Sequence, residues 1–223
     1  MNVNVNFDER VSVHADTPWV ASPMAGVERR MLDRIGEEVA RATTIVRFAP
    51  GSTFSPHVHT GGEEFLVLDG VFQDEHGDFP TGSYIRNPPQ SSHTPATAPG
   101  CTIFVKLWQF DLADRTHVRI DTNKARYLST ADGVKTLPLF QDEHEDVVME
   151  VWDAGAEVDL SAHAGMEVLV LSGSFVENDE EFAPQSWLRL PYGARATALA
   201  GPEGAKVWIK RDHLKTPPLA PVV

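Results

Sequence analysis

GSTFSPHVHTGGEEFLVLDG, residues 51–70, carries two histidines, two glutamates and a glycine at each end. His57 and His59 are two residues apart, so on a β-strand, whose side chains alternate with a period of two, both point to the same face. Glu63 follows four residues after His59. Imidazoles and a carboxylate that converge on one point are ligands of transition metals. The stretch therefore predicts a metal site built on a pair of adjacent strands.

The composition is that of a globular protein and excludes several function classes. The chain has 223 residues, of which 42% are hydrophobic and 23% are charged. Its formal net charge of −13 argues against nucleic-acid binding, because phosphate backbones attract basic proteins. The sequence starts without a basic or apolar segment and contains no run long enough to span a membrane. We therefore expect no membrane association and a cytoplasmic location.

Short runs rich in Val, Ile, Phe and Thr recur along the chain, separated by clusters of Gly, Pro, Asn and Asp. Many short strands with such punctuation predict an all-β fold. The best helix candidate is GVERRMLDRIGEE, residues 26–38, whose apolar spacing is incomplete and fits an extended strand equally well.

The sequence also repeats itself. APGSTFSPHVHTGGEEFLVLDG, from residue 49, parallels DAGAEVDLSAHAGMEVLVLSG, from residue 153, and GCTIFVKL parallels GAKVWIKR at nearly the same offset. FDERVSVHADT at residue 7 loosely matches FDLADRTHVRIDT at residue 110. Self-similarity at a fixed period predicts repeated structural units. We expect two copies of one β domain, residues 1–115 and residues 116–223.

The glycines, histidines and glutamate of residues 51–70 match the first signature motif of the cupin superfamily. FPTGSYIRNPPQSSH, residues 79–93, resembles the second motif, and this resemblance implies that His93 completes the metal site. The implied fold is two tandem cupin barrels (double-stranded β-helices, or jelly rolls), in which inward-facing side chains converge in the lumen. The predicted ligands of one divalent metal ion are His57, His59, Glu63 and His93.

Two glutamates compete for the carboxylate position, because neighbours on a strand face opposite ways. Counting from His59 favours Glu63, whereas aligning the two copies pairs Glu64 with Glu167. We predict Glu63 as the ligand and Glu64 on the outer face, because a shared metal enforces the distance to His59.

The second copy is predicted to be degenerate. Ser161 stands in place of its first histidine and an alanine in place of its third, while His163 and Glu167 remain. We expect these two to form a hydrogen bond in a barrel without metal. The alternative is a weak site completed by His213 or Glu181.

TPWVASPMAGVERRML, HVHTGGEEFLVLDG and GSYIRNPP together resemble the cupin domain of ChrR-type anti-sigma factors. In that family a zinc-binding cupin, needed for the response to singlet oxygen, accompanies an N-terminal zinc module that grips a sigma factor. The resemblance implies a metal-binding protein of stress sensing or transcriptional regulation, with a sigma factor or another protein as its partner. The sigma-gripping module uses a histidine and a cysteine pair, and this chain has one cysteine, so that module is expected to be absent.

Two further functions stay open. Related cupins include iron-dependent dioxygenases that cleave diketones and hydroxyketones, and an enzyme of that class is the first alternative. A barrel that only binds a small molecule is the second, and a homodimer is compatible with each. The affinity order of divalent ions makes zinc the expected metal, with iron, nickel and manganese as alternatives.

Overall fold

The computed structural model describes residues 2–37, 39–216 and 218–221. All regular elements within these ranges are β-strands, twenty-one in number, which confirms the all-β prediction. The first thirteen are β1 (Val11–Val13), β2 (Val20–Ala21), β3 (Val27–Gly36), β4 (Ala40–Phe48), β5 (Ser52–Thr53), β6 (His57–His59), β7 (Glu63–Asp74), β8 (Gly77–Pro80), β9 (Ser83–Asn87), β10 (Ser91–His93), β11 (Ala96–Thr97), β12 (Cys101–Leu107) and β13 (Val118–Asp121). The others are β14 (Leu128–Ala131), β15 (Val134–Gln141), β16 (Asp146–Trp152), β17 (Glu157–Asp159), β18 (Met166–Glu177), β19 (Glu180–Phe182), β20 (Trp187–Leu190) and β21 (Thr197–Arg211).

The strand β3 settles the one segment that the sequence left open. The helix candidate at residues 26–38 is extended over Val27–Gly36 and pairs with β2 and β4. None of the described residues belongs to a helix that could cross a membrane.

The chain divides into two compact units. The first holds residues 18–124, together with short segments from both ends of the chain, and the second holds Asn6–Thr17 and Ala125–Pro218. Whether the sequence repeats 1–115 and 116–223 are also folding domains stays a prediction.

The first unit is an antiparallel jelly roll. Its main sheet has ten strands, in the order β13-β9-β7-β12-β4-β3-β2 with β5, β8 and β11 paired at its margin, while β6 and β10 form a two-stranded sheet of their own. Its core includes Phe65, Val67, Phe72 and Ile103. The buried thiol of Cys101 belongs to the same cluster.

The second unit repeats this architecture. Its nine-stranded sheet follows the order β1-β20-β18-β21-β16-β15-β14, with β17 beside β21 and β19 beside β18. Its core centres on Trp152, Phe175, Phe182 and Leu188, each at most 1% exposed. The prediction of two tandem β-barrels is confirmed.

The two loosely matching segments that begin with Phe-Asp, at residue 7 and at residue 110, make corresponding contacts in the two units. In the first, β13 pairs with β9, and the guanidinium carbon of Arg86 lies 4.0 Å from the ring centre of Phe110. In the second unit, β1 pairs with β20, and the guanidinium carbon of Arg189 lies 3.9 Å from the ring centre of Phe7. Each segment therefore covers an otherwise open strand edge and a buried arginine.

Two β-bulges lie in the main sheet of the first unit. Leu32 is the extra residue of β3 opposite β4, and Leu68 is the extra residue of β7 opposite β12. One extra residue reverses the alternation of side chains beyond it. Both strands therefore change which of their positions face the barrel interior.

Candidate metal centre

The three predicted histidine ligands come from one small antiparallel sheet. His93 of β10 lies directly opposite His57 of β6, and Ser91 lies opposite His59. His57 and His59 share a face because they are two apart on the strand. The local ladder therefore brings all three imidazoles to the same side.

A double-glycine turn carries the chain from β6 to β7. A Cβ on Gly61 would lie 2.0 Å from Cδ2 of Trp108, and one on Gly62, whose φ is +78°, would lie 2.4 Å from the Phe110 ring. Only glycine accommodates this close approach and this left-handed backbone together. The turn places Glu63, the first residue of β7, beside the histidines.

The imidazoles are close enough to share one ion. Ring nitrogens of His57, His59 and His93 lie within 4.8 Å of one another. Nε2 of His59 and Nε2 of His93 are 2.9 Å apart. The carboxylate oxygen Oε2 of Glu63 lies 3.3 Å from Nε2 of His59 and 3.6 Å from Nε2 of His93.

Burial shifts the pKa of three members of the cluster. It lowers the pKa of His59 to about 4, with the charge of His57 acting in the same direction. Burial also lowers the pKa of His93, against the opposing effect of Glu63. It raises the pKa of Glu63, which accepts a hydrogen bond of 3.3 Å from the Asn87 amide. Imidazole nitrogens bind metals through their lone pairs, and three imidazoles beside one carboxylate are a donor set that suits zinc, iron or nickel. The residues present therefore fit a divalent metal ion.

Two contacts orient the rings from behind. Nδ1 of His93 lies 3.2 Å from Oδ2 of Asp74, and Nδ1 of His57 lies 3.0 Å from the carbonyl oxygen of Ser55. A ring whose Nδ1–H donates to such an acceptor keeps the Nε2 lone pair for a metal. Sequence reasoning missed Asp74, since strict alternation along β7 places it on the opposite face from Glu63, and only the bulge at Leu68 brings it inward.

The neighbouring Glu64 has a different environment. Its Oε1 accepts a hydrogen bond of 2.7 Å from the Tyr84 hydroxyl, and the residue is 2% exposed. It lies on the other face of β7 from Glu63, as alternation requires. Of the two competing glutamates, the structure brings Glu63 to the histidines.

The second unit assembles no equivalent cluster among the residues that the structure describes. His163 is exposed, whereas Glu167 is fully buried and accepts hydrogen bonds from Nε1 of Trp187 at 3.1 Å and from His213 at 2.7 Å. The predicted hydrogen bond between His163 and Glu167 is therefore wrong. Glu167 lies opposite Arg189 in the ladder, just as Glu64 lies opposite Arg86. It corresponds to Glu64, so the second unit lacks the carboxylate as well as two histidines.

A cavity of about 510 Å³ adjoins the metal centre, and His57 and Glu63 form part of its wall. Most of the remaining wall is apolar, with Val46, Ile103 and Val105 among its residues. A concave, mainly apolar space with a few polar groups at one place is the usual form of a small-molecule site.

Several solved structures have a fold similar to that of this chain. A candidate dioxygenase from Nostoc punctiforme superposes with a TM-score of 0.72 at 14% identity, over 100% of this chain and 87% of that one. The bacterial pirin YhhW from Escherichia coli, solved in complex with nickel(II), gives a TM-score of 0.64 at 12% identity, over 96% of this chain and 100% of the other. A cupin 2 conserved barrel domain protein from Leptotrichia buccalis gives 0.61 at 10%, over 86% and 92%. At these identities the likeness establishes the fold.

No curated protein sequence is significantly similar to the chain. The model of the ChrR cupin-like domain matches it twice, over residues 8–111 and residues 115–215. These two matches cover most of the sequence and coincide with the two copies of its internal repeat. The chain therefore belongs to the ChrR cupin-like family, as a bicupin with one domain of that family in each repeat.

Proposed function

We propose that the protein holds one divalent metal ion through His57, His59, Glu63 and His93, and that it catalyses the oxidation of a small organic molecule by dioxygen. The observation that supports this most is the position of His57 and Glu63 on the wall of the 510 Å³ cavity. Structural zinc sites are closed by protein ligands, whereas catalytic sites keep a position open. A metal centre on a cavity wall is of the second kind.

The chain's own residues have separate tasks in this function. The three imidazoles hold the ion, Glu63 adds negative charge, and the apolar wall excludes water from the bound molecule. When bound, a redox-active ion such as iron(II) supplies the electron chemistry that reaction with dioxygen requires. Zinc is the ion that we expect to be held more tightly than iron or manganese. We therefore expect turnover from iron-loaded protein and none from zinc-loaded protein.

Oxygen uptake tests this proposal. Metal-free protein is loaded with iron(II) without air, then mixed with aerated acetylacetone or acetoin in an oxygen electrode. We expect consumption that depends on both iron and substrate, that His57→Ala abolishes and that His163→Ala leaves unchanged. Uptake no faster than the His57→Ala background across diketones and hydroxyketones would contradict the enzymatic function.

A regulatory function is the second candidate, and the match to the ChrR cupin-like family favours it. In this function the occupied metal centre would report stress to a protein partner such as a sigma factor. A thiol sensor is not supported, because burial raises the pKa of the single cysteine, Cys101, to about 11 and so suppresses its reactive thiolate. The regulatory function is tested by gel filtration of zinc-loaded protein with a purified extracytoplasmic-function sigma factor. Co-elution that His93→Ala abolishes would support regulation, and separate elution would contradict it.

A further inference from the structure

Two arginines line the cavity that the metal centre adjoins. Arg29 and Arg34 are both on β3, and both belong to the cavity wall. They are five positions apart, so a regular strand would direct them to opposite faces. The bulge at Leu32 reverses the alternation between them and gives them the same face.

Acidic partners are present for other arginines of this unit. Arg47 pairs with Glu28 at 2.6 Å, and Arg41 lies 3.5 Å from Asp33. Arg86 forms an ion pair with Asp114. In a chain with 32 acidic and 19 basic residues, carboxylates are not scarce.

Arg29 differs from these arginines. Its guanidinium has neither a hydrogen bond nor an ion pair with any residue that the structure describes, although its side chain is half-buried. Burial, followed by the positive charge of Arg34, lowers the pKa of Arg29. Arg34 itself donates to the backbone carbonyl of Glu37, which is a neutral acceptor. Two cations therefore share the wall of this cavity without a compensating carboxylate among its described residues, apart from Glu63 at the candidate metal centre.

The strand register gives the separation of Arg34 from the candidate metal centre across the sheet. Arg34 is paired with Ala42, Ala42 with Leu107, and Leu107 with Glu63. Three strand spacings separate Arg34 from Glu63, roughly 14 Å along the curved surface. The cavity wall between them is mainly apolar.

We infer that Arg29 and Arg34 are the anion-binding end of this cavity, and that its ligand is a monocarboxylic acid with an apolar chain that extends toward the metal centre. A planar guanidinium binds a carboxylate through two parallel hydrogen bonds, which makes arginine well suited to this task. The apolar chain would cover the aliphatic wall and displace water from it. The statement about the ligand's far end rests on the proposed function, whereas the anion site does not require a metal.

Matched probes of equal chain length test the charge requirement. Isothermal titration calorimetry on zinc-loaded protein compares octanoate, octanol and octylamine, which differ only in the head group. We expect octanoate to bind at least about 10-fold more tightly than octanol, the scale of hydrogen bonds to a charged group. Octylamine should bind most weakly, because two cations face it.

Substitutions locate the charge. Arg29→Gln and Arg34→Gln should each weaken octanoate binding by about 10- to 100-fold and leave octanol binding unchanged. Arg119→Gln removes the same charge from an exposed position outside this cavity and should change neither affinity. Should a glutamine variant fail to fold, as judged by circular dichroism, Arg29→Lys keeps the charge but loses the bidentate fork, and should bind octanoate at an intermediate affinity.

The same titrations on chelator-treated protein separate this inference from the proposed function. Octanoate binding that persists without metal and falls in Arg29→Gln supports the anion site, whatever the oxygen electrode shows. Octanoate binding no tighter than octanol binding, or equal in wild type and Arg29→Gln, would overturn it. Iron-dependent oxygen uptake would stand in either case.

Discussion

Asp74 lies directly behind His93, with its Oδ2 3.2 Å from Nδ1 of the imidazole. The side chain of Asp74 is 3% exposed and that of His93 is 2% exposed. A carboxylate in this position accepts a hydrogen bond from Nδ1–H, fixes the tautomer and makes the opposite nitrogen a better metal ligand. Asp74 is thus placed to orient His93 in the candidate metal centre.

Asp74→Asn should weaken zinc binding by about 10- to 100-fold, as is typical when such a supporting carboxylate is lost. Competition with a chromophoric chelator measures the affinity. Asp78→Asn is the matched control, because Asp78 is exposed and contacts Gln73 rather than a histidine. Equal zinc affinities for Asp74→Asn and wild type would mean that the backbone alone orients His93.

The two units should differ in metal content. We expect one tightly held ion for each chain, because the described residues form one cluster of three histidines. Elemental analysis after dialysis should show that His57→Ala and His93→Ala lose the ion and that His163→Ala keeps it. Two equivalents that resist dialysis would contradict a degenerate second barrel.

The two adjacent glutamates should respond differently to loss of charge. Glu63→Gln should weaken metal affinity by roughly 10-fold or more, because its carboxylate lies against two of the histidines. Glu64→Gln should leave the affinity unchanged and lower the melting temperature, since it disturbs a buried hydrogen bond with Tyr84. The opposite ranking of metal affinities, in the same chelator competition, would assign the ligand role to Glu64.

The segment that carries β1 should loosen in acid. Burial raises the pKa of Glu180, but hydrogen bonds from His14, Ser12 and Arg10 outweigh it and lower the pKa to about 2, from an ordinary 4.5. A carboxyl group whose pKa is lower in the folded state stabilises it above the ordinary pKa. This stabilisation is lost as the pH falls from about 4.5 towards 2.

Glu180→Gln should therefore lower the melting temperature by a few degrees at neutral pH, with a smaller difference from wild type at pH 2. Thermal unfolding followed by circular dichroism across this range measures the difference. The exposed Glu157→Gln is the control. A constant difference between Glu180→Gln and wild type at every pH would show that the contribution is not electrostatic.

Local regularity explains what the sequence determined. His57 and His59 share a face because strand alternation is a property of the backbone, and Glu63 lies next to them because only a short turn intervenes. The internal repeat likewise indicated two β units, and the runs of β-branched residues indicated strands. Each of these inferences depends on residues that are neighbours in the chain or on a motif with a constant spacing.

Tertiary structure decided the features that depend on strand register. The bulges at Leu32 and Leu68 give Arg34 and Asp74 the opposite face from the one that simple alternation predicts. A bulge forms where two strands with different numbers of residues must stay paired, so it depends on the partner strand and leaves no local pattern. For Glu167 the sheet register decided between two interpretations of the sequence, because cross-strand pairing agrees with the alignment of the two copies, which matches it to Glu64, and not with its spacing to His163. The sequence by itself therefore determined the candidate metal donors, whereas the register of the folded sheets decided which other charged groups surround them.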